Sequence, residues 1–252
     1  MDEIIPQNLL VTDESSFRSS LSYSNNNNNR RLLNISFLPN TSFFCRKTSP
    51  TYFNIHRLPK QSLLKLGGKK VTDQIVPCVR RAHGSGAIFP LSSAQQRLCS
   101  INYHHEGGVH HWYIIPTCER DALQKAIGHK EVPICLDHGQ LLVDPSLFAK
   151  HHIRYHRVTQ RPKEFVVLAA GTLVQGFAEG ASWSESINFA LPGWIEEGCA
   201  SAATLQCQCN NPNNYSPNTI DVTIFTHDLI EKYISSHLNN GTDDKPTTLE
   251  GL

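Results

Sequence analysis

Between Leu98 and Ala190 the chain alternates short apolar runs with glycine-bearing turns, and this alternation constrains the fold most strongly. Two runs, Leu98–Tyr103 and Trp112–Ile115, flank the segment Glu106-Gly107-Gly108. Such a pattern predicts two strands joined as a hairpin. Further strand-like runs follow at residues 153–159, 164–169 and 184–190. Several short strands joined by turns of this kind predict a barrel-like β domain.

Helical patterns flank the predicted strands. Residues 118–129 carry Leu123, Ala126 and Ile127 at helical spacing. A second short helix is predicted over residues 145–151, where Pro145 suits the first helical position. Two further helices are predicted after Pro192, over residues 194–206 and 225–238. The sequence therefore predicts a mainly β domain with helices.

Composition narrows the classes of function. The chain has 252 residues with 39% hydrophobic content, enough for one domain plus tails. Because 23 Lys and Arg stand against 22 Asp and Glu, no overall positive field favours nucleic-acid binding. We find neither a signal peptide nor an apolar run long enough to span a membrane. The sequence thus predicts no membrane partner and leaves direct DNA binding unsupported.

The cysteines and histidines invite a metal hypothesis. The eight cysteines form no Cys-x-x-Cys pair, and Cys199, Cys207 and Cys209 lack a fourth ligand at zinc spacing. We therefore interpret the cysteines as reduced thiols. The pairs His104-His105 and His110-His111 flank the predicted turn, so two imidazoles could lie close together. Ordinary surface or core histidines are favoured, since only Glu106 in the turn could complete a ligand set.

Three sequence blocks resemble the JmjC family. They are Ser100–Tyr103 followed by residues 107–116 (GGVHHWYIIP), then residues 156–160, and finally residues 164–190 with the motif Ser186-Ile-Asn-Phe-Ala190. The resemblance covers about residues 92–198 and implies a JmjC-type double-stranded β-helix, a cupin-like jelly roll. The strand that normally opens the barrel is not recognisable upstream of Ser92. Either the first strands have diverged or the chain is a truncated product of a longer protein.

The resemblance also implies an iron site and shows where its ligands are lost. JmjC enzymes oxidise N-methyl groups on lysine with Fe(II) and 2-oxoglutarate, and two imidazoles and one carboxylate hold the metal. In this chain the matching positions are Ser92, Ala94 and Val174. Neither alanine nor valine can bind a metal. We therefore expect no catalytic residues and no bound metal.

The positions that match the 2-oxoglutarate pocket are Asn102, His110 and Asn188. Active relatives carry at the position of His110 a lysine that binds the 5-carboxylate, and a partly protonated imidazole substitutes for it weakly. The two asparagines are also explained as hydrogen-bonding residues of strands. The resemblance therefore implies a degenerate pocket and no cofactor.

The pattern of losses is most similar to the Jumonji branch of the family, a catalytically inactive Polycomb cofactor. This similarity implies a pseudo-enzyme in the nucleus that regulates transcription through contacts with chromatin or Polycomb-type protein complexes. Two alternatives stay open. One is an active Fe(II)/2-oxoglutarate-dependent histone lysine demethylase with displaced ligands from His83, Glu106 or the paired histidines. The other is a fragment of a longer Jumonji-like protein.

The resulting domain prediction has four parts. Residues 1–50 form a disordered Ser/Asn-rich arm, and residues 51–91 form a divergent or incomplete N-terminal lobe. Residues 92–198 form the JmjC-like domain. Residues 199–252 form a helical segment and a polar tail, of which 239–252 are expected to be mobile.

Overall fold

Two five-stranded antiparallel sheets build the molecule. A computed structural model describes residues 15–17, 34–44, 54–128, 135–203 and 220–240. The strands in this part of the chain are β1 Ile35–Pro39, β2 Cys78–Ala82, β3 Ala87–Ser92, β4 Cys99–Gly107, β5 His110–Ile115, β6 His138–Leu141, β7 His156–Gln160, β8 Phe165–Leu168, β9 Leu173–Ala178 and β10 Ser182–Phe189. Residues 15–17 are helical, and the further α-helices there are α1 Leu58–Gln61, α2 Gly68–Thr72, α3 Arg120–Ile127, α4 Ser146–Lys150, α5 Trp194–Ala203 and α6 His227–Asn240.

The first sheet has the strand order β1-β2-β10-β4-β8 and the second has the order β6-β3-β9-β5-β7. They pack face to face, and their inner faces share one buried cluster of Ala82, Ala87, Phe89, Trp112, Val166, Leu168 and Ala178. This arrangement confirms the predicted JmjC-type jelly roll. The predicted neighbourhood of the strands at Ser100–Tyr103 and 184–190 is also confirmed, because β4 pairs directly with β10.

The predicted hairpin between β4 and β5 is wrong. The two strands are consecutive, yet β4 pairs with β10 and β8 whereas β5 pairs with β9 and β7 in the other sheet. Gly107 has φ of 101°, and a Cβ there would collide with the backbone of Ala181 and Ser182. Because the chain passes so close to the β9–β10 connection, it crosses from one sheet to the other instead of folding back on itself.

Strand β9 was missed by the sequence patterns. Its run Leu173–Ala178 is interrupted by Gln175 and Gly176, both of which are buried. The ring of Trp112 packs where a Cβ of Gly176 would lie. Glycine is needed here for close packing, although it lowers the strand signal in the sequence.

The prediction of a disordered arm over residues 1–50 is wrong for two of its parts. Strand β1 is the edge strand of the first sheet and pairs with β2 over Ile35–Pro39, so this part of the arm has a regular strand structure. Phe17 is fully buried and stacks on Phe177 with ring centroids 4.8 Å apart. Apart from residues 15–17 and 34–44, that arm lies outside the described residues, as does the predicted polar tail beyond residue 240.

Strands upstream of the predicted domain boundary belong to the same sheets. Strands β1 and β2 precede Ser92 and join the first sheet, while Ser92 itself ends β3 in the second sheet. The sandwich therefore includes strands upstream of Ser92. The boundary predicted at Ser92 divides the sandwich and is corrected accordingly.

Helices cover the outer face of each sheet. Outside the second sheet, Leu123 of α3 and Phe148 of α4 pack against Ile88, Tyr113 and Phe177. Outside the first sheet, a second cluster joins the N-terminal helices to α5 and α6 around Ile187, Trp194, Phe225 and Tyr233. Within the described residues, we find no helix with the length and apolar content needed to cross a membrane.

Candidate functional site

Two of the three predicted iron positions face each other. Ser92 at the end of β3 is the register partner of Val174 in β9. The side chain of Val174 packs against the cluster between the sheets, so both positions lie at the inner face of the second sheet. Ala94 does not converge on them in the same way, because it packs against the outer cluster that contains Trp194.

The short loop after Ser92 is held in a fixed conformation. Gln96 and Arg97 have φ of 46° and 54°, in the left-handed region. The side chain of Gln96 accepts a hydrogen bond from the Ile220 amide at 2.8 Å and donates one to the Ile220 carbonyl at 2.8 Å. The indole Nε1 of Trp194 donates to the Gln96 carbonyl at 2.9 Å. These bonds fix the position of Ala94 beside the C-terminal helices.

The residues at these positions do not fit an iron ion. Ser92 offers a neutral hydroxyl, and the aliphatic side chains of Ala94 and Val174 offer no donor atom. In the part of the chain that the structure describes, no group of three or more His, Cys, Asp or Glu side chains could hold a metal. These three positions therefore offer at most one weak ligand, the Ser92 hydroxyl.

Most of the displaced ligands of the alternative hypothesis are dispersed, and only His104 and His110 of the paired histidines meet. His83 hydrogen-bonds Ser36 at 2.6 Å at the sheet edge. His105 contacts Glu185 at 3.1 Å and His111 contacts Glu179 at 2.7 Å. Glu106 is exposed at the end of β4.

The pocket position Asn102 lies inside the sandwich and is occupied by hydrogen bonds. It is buried, its side-chain Oδ1 accepts from the guanidinium of Arg80, and its carbonyl accepts from Gln160 Nε2 at 3.1 Å. Asn188 is half-buried on β10 and lies opposite Ser100. The asparagines therefore sit on neighbouring central strands of the first sheet.

His110 is fully buried and stacks on His104 with ring centroids 4.1 Å apart and an interplanar angle of 10°. The sequence predicted that these histidines could come together, and they do, but across the two sheets and not along a hairpin. His110 Nε2 contacts Ser182 Oγ at 2.7 Å, while its Nδ1 is buried without a hydrogen-bond partner. We call Arg80, Asn102, His104, His110 and Gln160 the interior polar cluster.

Both imidazoles of this cluster favour the neutral form. Burial lowers the pKa of His110 to about 2, and the nearby His104 and Arg80 act in the same direction. Burial also lowers the pKa of His104, against hydrogen bonds to the Gln160 and Glu106 carbonyls. A neutral His110 cannot supply the positive charge that the resemblance assigns to its position.

Acidification should destabilise the fold through His110. The unfolded chain binds a proton near pH 6.5, whereas folded His110 stays neutral, so stability falls as the pH drops below 6.5. The slope from this residue approaches about 1.4 kcal/mol per pH unit, and His104 adds to it. Denaturant unfolding between pH 7 and 4.5 measures this loss, and His110→Gln should flatten the curve. An unchanged slope in that variant would contradict the assignment.

Sequence reasoning missed Arg80 and Gln160. Gln160 is fully buried, and its Oε1 accepts from the Trp112 indole at 2.9 Å. The pair Arg80-Arg81 could have indicated a buried arginine. In a strand, two successive side chains point to opposite faces of the sheet, so one of these two arginines must face the interior of the sandwich.

The zinc hypothesis for the cysteines gains no support. Cys207 and Cys209 lie outside the described residues, and Cys199 is exposed on α5. Cys135 Sγ contacts His138 Nδ1 at 3.1 Å. Beside this pair, Asp137 accepts hydrogen bonds from Ser93 at 2.6 Å and from the guanidinium of Arg120. Asp137 therefore ties the loop after Ser92 to α3.

Comparison with known proteins places this geometry in a family. A family model described as "JmjC domain, hydroxylase" matches residues 84–189. This match begins upstream of Ser92 and spans the sandwich from the start of β3 to the end of β10. Over these residues the sandwich matches a JmjC domain.

The curated relatives of this chain are named as lysine-specific demethylases or as a complex component. It is 34% identical over 128 residues to probable lysine-specific demethylase 4F of Homo sapiens, and 36% identical over 127 residues to lysine-specific demethylase 4B of Mus musculus. Each match covers 48% of this chain but only 19% and 11% of the relatives. Lid2 complex component lid2 of Schizosaccharomyces pombe is 27% identical over 177 residues, 65% of this chain and 11% of its own.

The matched region thus spans a fifth or less of each of these relatives. These relatives are named as demethylases and as a complex component, and none of the three is named as the Jumonji protein. The particular similarity to the Jumonji branch therefore stays a prediction.

Proposed function

We propose that this protein is a non-catalytic regulator of transcription that acts in the nucleus through contacts with chromatin-associated protein complexes. The barrel would serve as a folded platform. Neither Fe(II) nor 2-oxoglutarate turnover would contribute to its effect.

The observation that carries this proposal is the pairing of Ser92 with Val174 across β3 and β9. In an iron enzyme of this family these positions would present two imidazoles to one metal. The hydroxyl of Ser92 binds Fe(II) no more strongly than water does, and the isopropyl group of Val174 offers no ligand atom. Ala94 removes the carboxylate as well.

The charge inside the barrel adds a second argument. The guanidinium of Arg80 reaches Asn102 in the interior, and arginine stays protonated at any physiological pH. The substrate of a lysine demethylase is a methylated ammonium group, which also carries a positive charge. Bringing this cation into the barrel would place like charges together in a medium where they repel more strongly than in water.

The proposed partners follow from the relatives and from the family resemblance. One relative is named as a component of the Lid2 complex, which supports membership of a protein complex for this chain too. The resemblance to the Jumonji branch suggests complexes of the Polycomb type. We propose no contribution from direct DNA binding.

The second candidate is an active lysine demethylase, and the names of the relatives favour it. It would require ligands at positions other than Ser92, Ala94 and Val174. Iron titration separates the two candidates directly.

The full chain, purified without oxygen, should bind no stoichiometric Fe(II) and form no succinate above background with methylated histone peptides. The matched control is the double variant Ser92→His and Val174→His. Its two imidazoles lie on register partners, whose Cβ atoms are about 5 Å apart in such pairs, so it should gain measurable affinity for Ni(II) or Fe(II).

Two results would contradict the proposal. One is iron bound one-to-one by the unmodified chain. The other is succinate formation that depends on the peptide and disappears with His104→Ala or His110→Ala. A reporter assay tests the proposed regulation of transcription. The chain is fused to a foreign DNA-binding domain that tethers it to the reporter gene, and an unchanged transcript level would count against a regulatory function.

A further inference from the structure

Strand β8 forms an open edge of the first sheet, since β4 is its one strand partner among the described residues. Its four residues, Phe165-Val-Val-Leu168, are all apolar. Val166 and Leu168 are buried between the sheets, whereas Phe165 is 37% exposed and Val167 is 61% exposed. Val167 is the most exposed large apolar side chain in the described part of the chain. An exposed apolar edge of this kind is a template for pairing with another strand.

The backbone of β8 has unused hydrogen-bonding groups at this edge. In an antiparallel pair, every second residue directs both its N–H and its C=O group to the partner strand. The His104 amide donates to the Glu164 carbonyl at 3.1 Å, so Val166 is the next residue of β8 that bonds β4. Phe165 and Val167 therefore direct their N–H and C=O groups away from β4. Within the residues that the structure describes, these groups have no hydrogen-bond partner.

The other three edge strands in the described part of the chain carry features that oppose such pairing. Strand β1 ends with Pro39, which has no N–H group. Strand β7 exposes His156 and Arg157, and β6 pairs with β3 through an irregular register. Prolines, charged side chains and bulges are the usual protection of sheet edges against association. The four residues of β8 contain none of these features.

We infer that β8 pairs with β8 of a second copy of this chain, antiparallel about a two-fold axis at Val166. In this register Phe165 of each copy lies opposite Val167 of the other. Because both residues direct their backbone groups outward, each such pair can exchange two hydrogen bonds. Their exposed side chains also meet, and an aromatic side chain beside a β-branched one is a favourable cross-strand pair. The edge is therefore complementary to itself, as a two-fold contact requires.

The residues that flank β8 are compatible with this register. The turn before the strand holds Lys163 and Glu164, whereas residues 169–171 after it are Ala-Ala-Gly. In the antiparallel pair, the long side chains of one copy lie beside small residues of the other. The two copies of Lys163 lie at opposite ends of the paired strands, so their charges are kept apart.

This contact would join two five-stranded sheets into one sheet of ten strands. Because only the four residues of β8 pair in each copy, we expect a weak and reversible dimer. The inference goes beyond the proposed regulatory function, which would stand for a monomeric chain.

Sedimentation velocity of the full chain from micromolar to millimolar concentration tests the dimer. We expect a reversible equilibrium between monomer and dimer. Val167→Lys should weaken it about tenfold or more, since both copies lose an apolar cross-strand pair and gain a charge at the edge. Leu38→Lys is the matched control, because it places the same charge on β1, at the other edge of the same sheet, on a side chain that is 40% exposed. This control should dimerise as the unmodified chain does.

Amide hydrogen exchange followed by NMR gives a second readout, residue by residue. The Val166 amide bonds β4 and should exchange slowly at every concentration. The amides of Phe165 and Val167 should exchange fast in dilute solution and slow down as the concentration rises. In Val167→Lys the Phe165 amide should stay fast, while a slow Val166 amide shows that β8 is still folded.

Several results would overturn the inference. They are a monomer at every concentration, a dimer that Val167→Lys leaves unchanged, or a slow Phe165 amide in the monomer, which would show that another segment of the chain covers the edge. Open-ended assemblies larger than a dimer, as pairing of β8 with β1 of the next copy would give, would also overturn it. None of these results depends on iron binding or on reporter transcription, so the proposed function is tested separately.

Discussion

Replacing Trp194 with alanine is expected to lower the free energy of unfolding by about 3–5 kcal/mol, the usual cost of removing a large buried aromatic side chain. Trp194 is fully buried at the start of α5 and meets Phe225 edge-to-face at 5.7 Å. Its indole also donates to Gln96, so the loss reaches the loop that carries Ala94. Urea unfolding followed by circular dichroism measures the change.

Trp183→Ala serves as the control for this prediction. Trp183 is half-buried on the outer face of β10, so its removal should cost clearly less. Hydrogen exchange adds a local test, because the amides of residues 95–98 should exchange faster in Trp194→Ala than in Trp183→Ala. Equal losses of stability in the two variants would contradict the role assigned to Trp194.

Glu185→Gln is expected to lower the free energy of unfolding by about 3–5 kcal/mol, as when one partner of a buried charge cluster is removed. The carboxylate is fully buried on the outer face of β10. It accepts hydrogen bonds from the Phe43 amide at 2.9 Å, from His105 at 3.1 Å and from the Ser42 hydroxyl. Replacement leaves these donors without a charged acceptor. Thermal and urea unfolding measure the effect.

The control is Glu179→Gln. Glu179 forms an ion pair with His111 on a side chain that is 39% exposed, and exposed pairs contribute less than about 1 kcal/mol. A cost for Glu185→Gln no greater than for Glu179→Gln would show that the cluster around Glu185 contributes little to stability.

Glu185 also predicts a second acid transition, distinct from that of His110. Burial alone raises the pKa of Glu185, but the hydrogen bonds from His105, Ser42 and the Phe43 amide outweigh it and hold the pKa below 4.5. The stabilisation is therefore present above pH 4.5 and is lost as the pH falls through the lowered value. In Glu185→Gln this low-pH part of the unfolding curve should disappear.

The fold could be predicted from the sequence where side-chain alternation is regular. The strands around Ser100–Tyr103 and 184–190 were found this way, as was the helix that contains Leu123. The pairing of β4 was missed because Gly107 and Gly108 look like a hairpin turn in the sequence, and only the collision with Ala181 and Ser182 shows that the chain crosses over. Strand β1 was missed because a short edge strand among polar residues has almost no periodic signal.

The site could be predicted in part, because the replaced iron ligands can be located where the rest of the family motif is retained. The family resemblance assigned Ser92 and Val174 to the metal site, and they do face each other. The resemblance did not reveal that Ala94 packs against a different cluster, since this depends on the bond from Trp194 to Gln96, which are 98 residues apart. Arg80 was missed for a related reason: its surroundings are formed by β10 and β4, which lie far along the chain.

The central position of β10 has a consequence for biosynthesis. This strand joins β2 to β4, so without it the first sheet consists of two separate pairs, β1 with β2 and β4 with β8. As the ribosome makes the chain from its N-terminus, both pairs emerge before residue 182 and expose unpaired edges until β10 follows. Contacts so distant in sequence form slowly, and exposed edges favour aggregation. The nascent chain is therefore expected to need chaperone protection until β10 has left the exit tunnel.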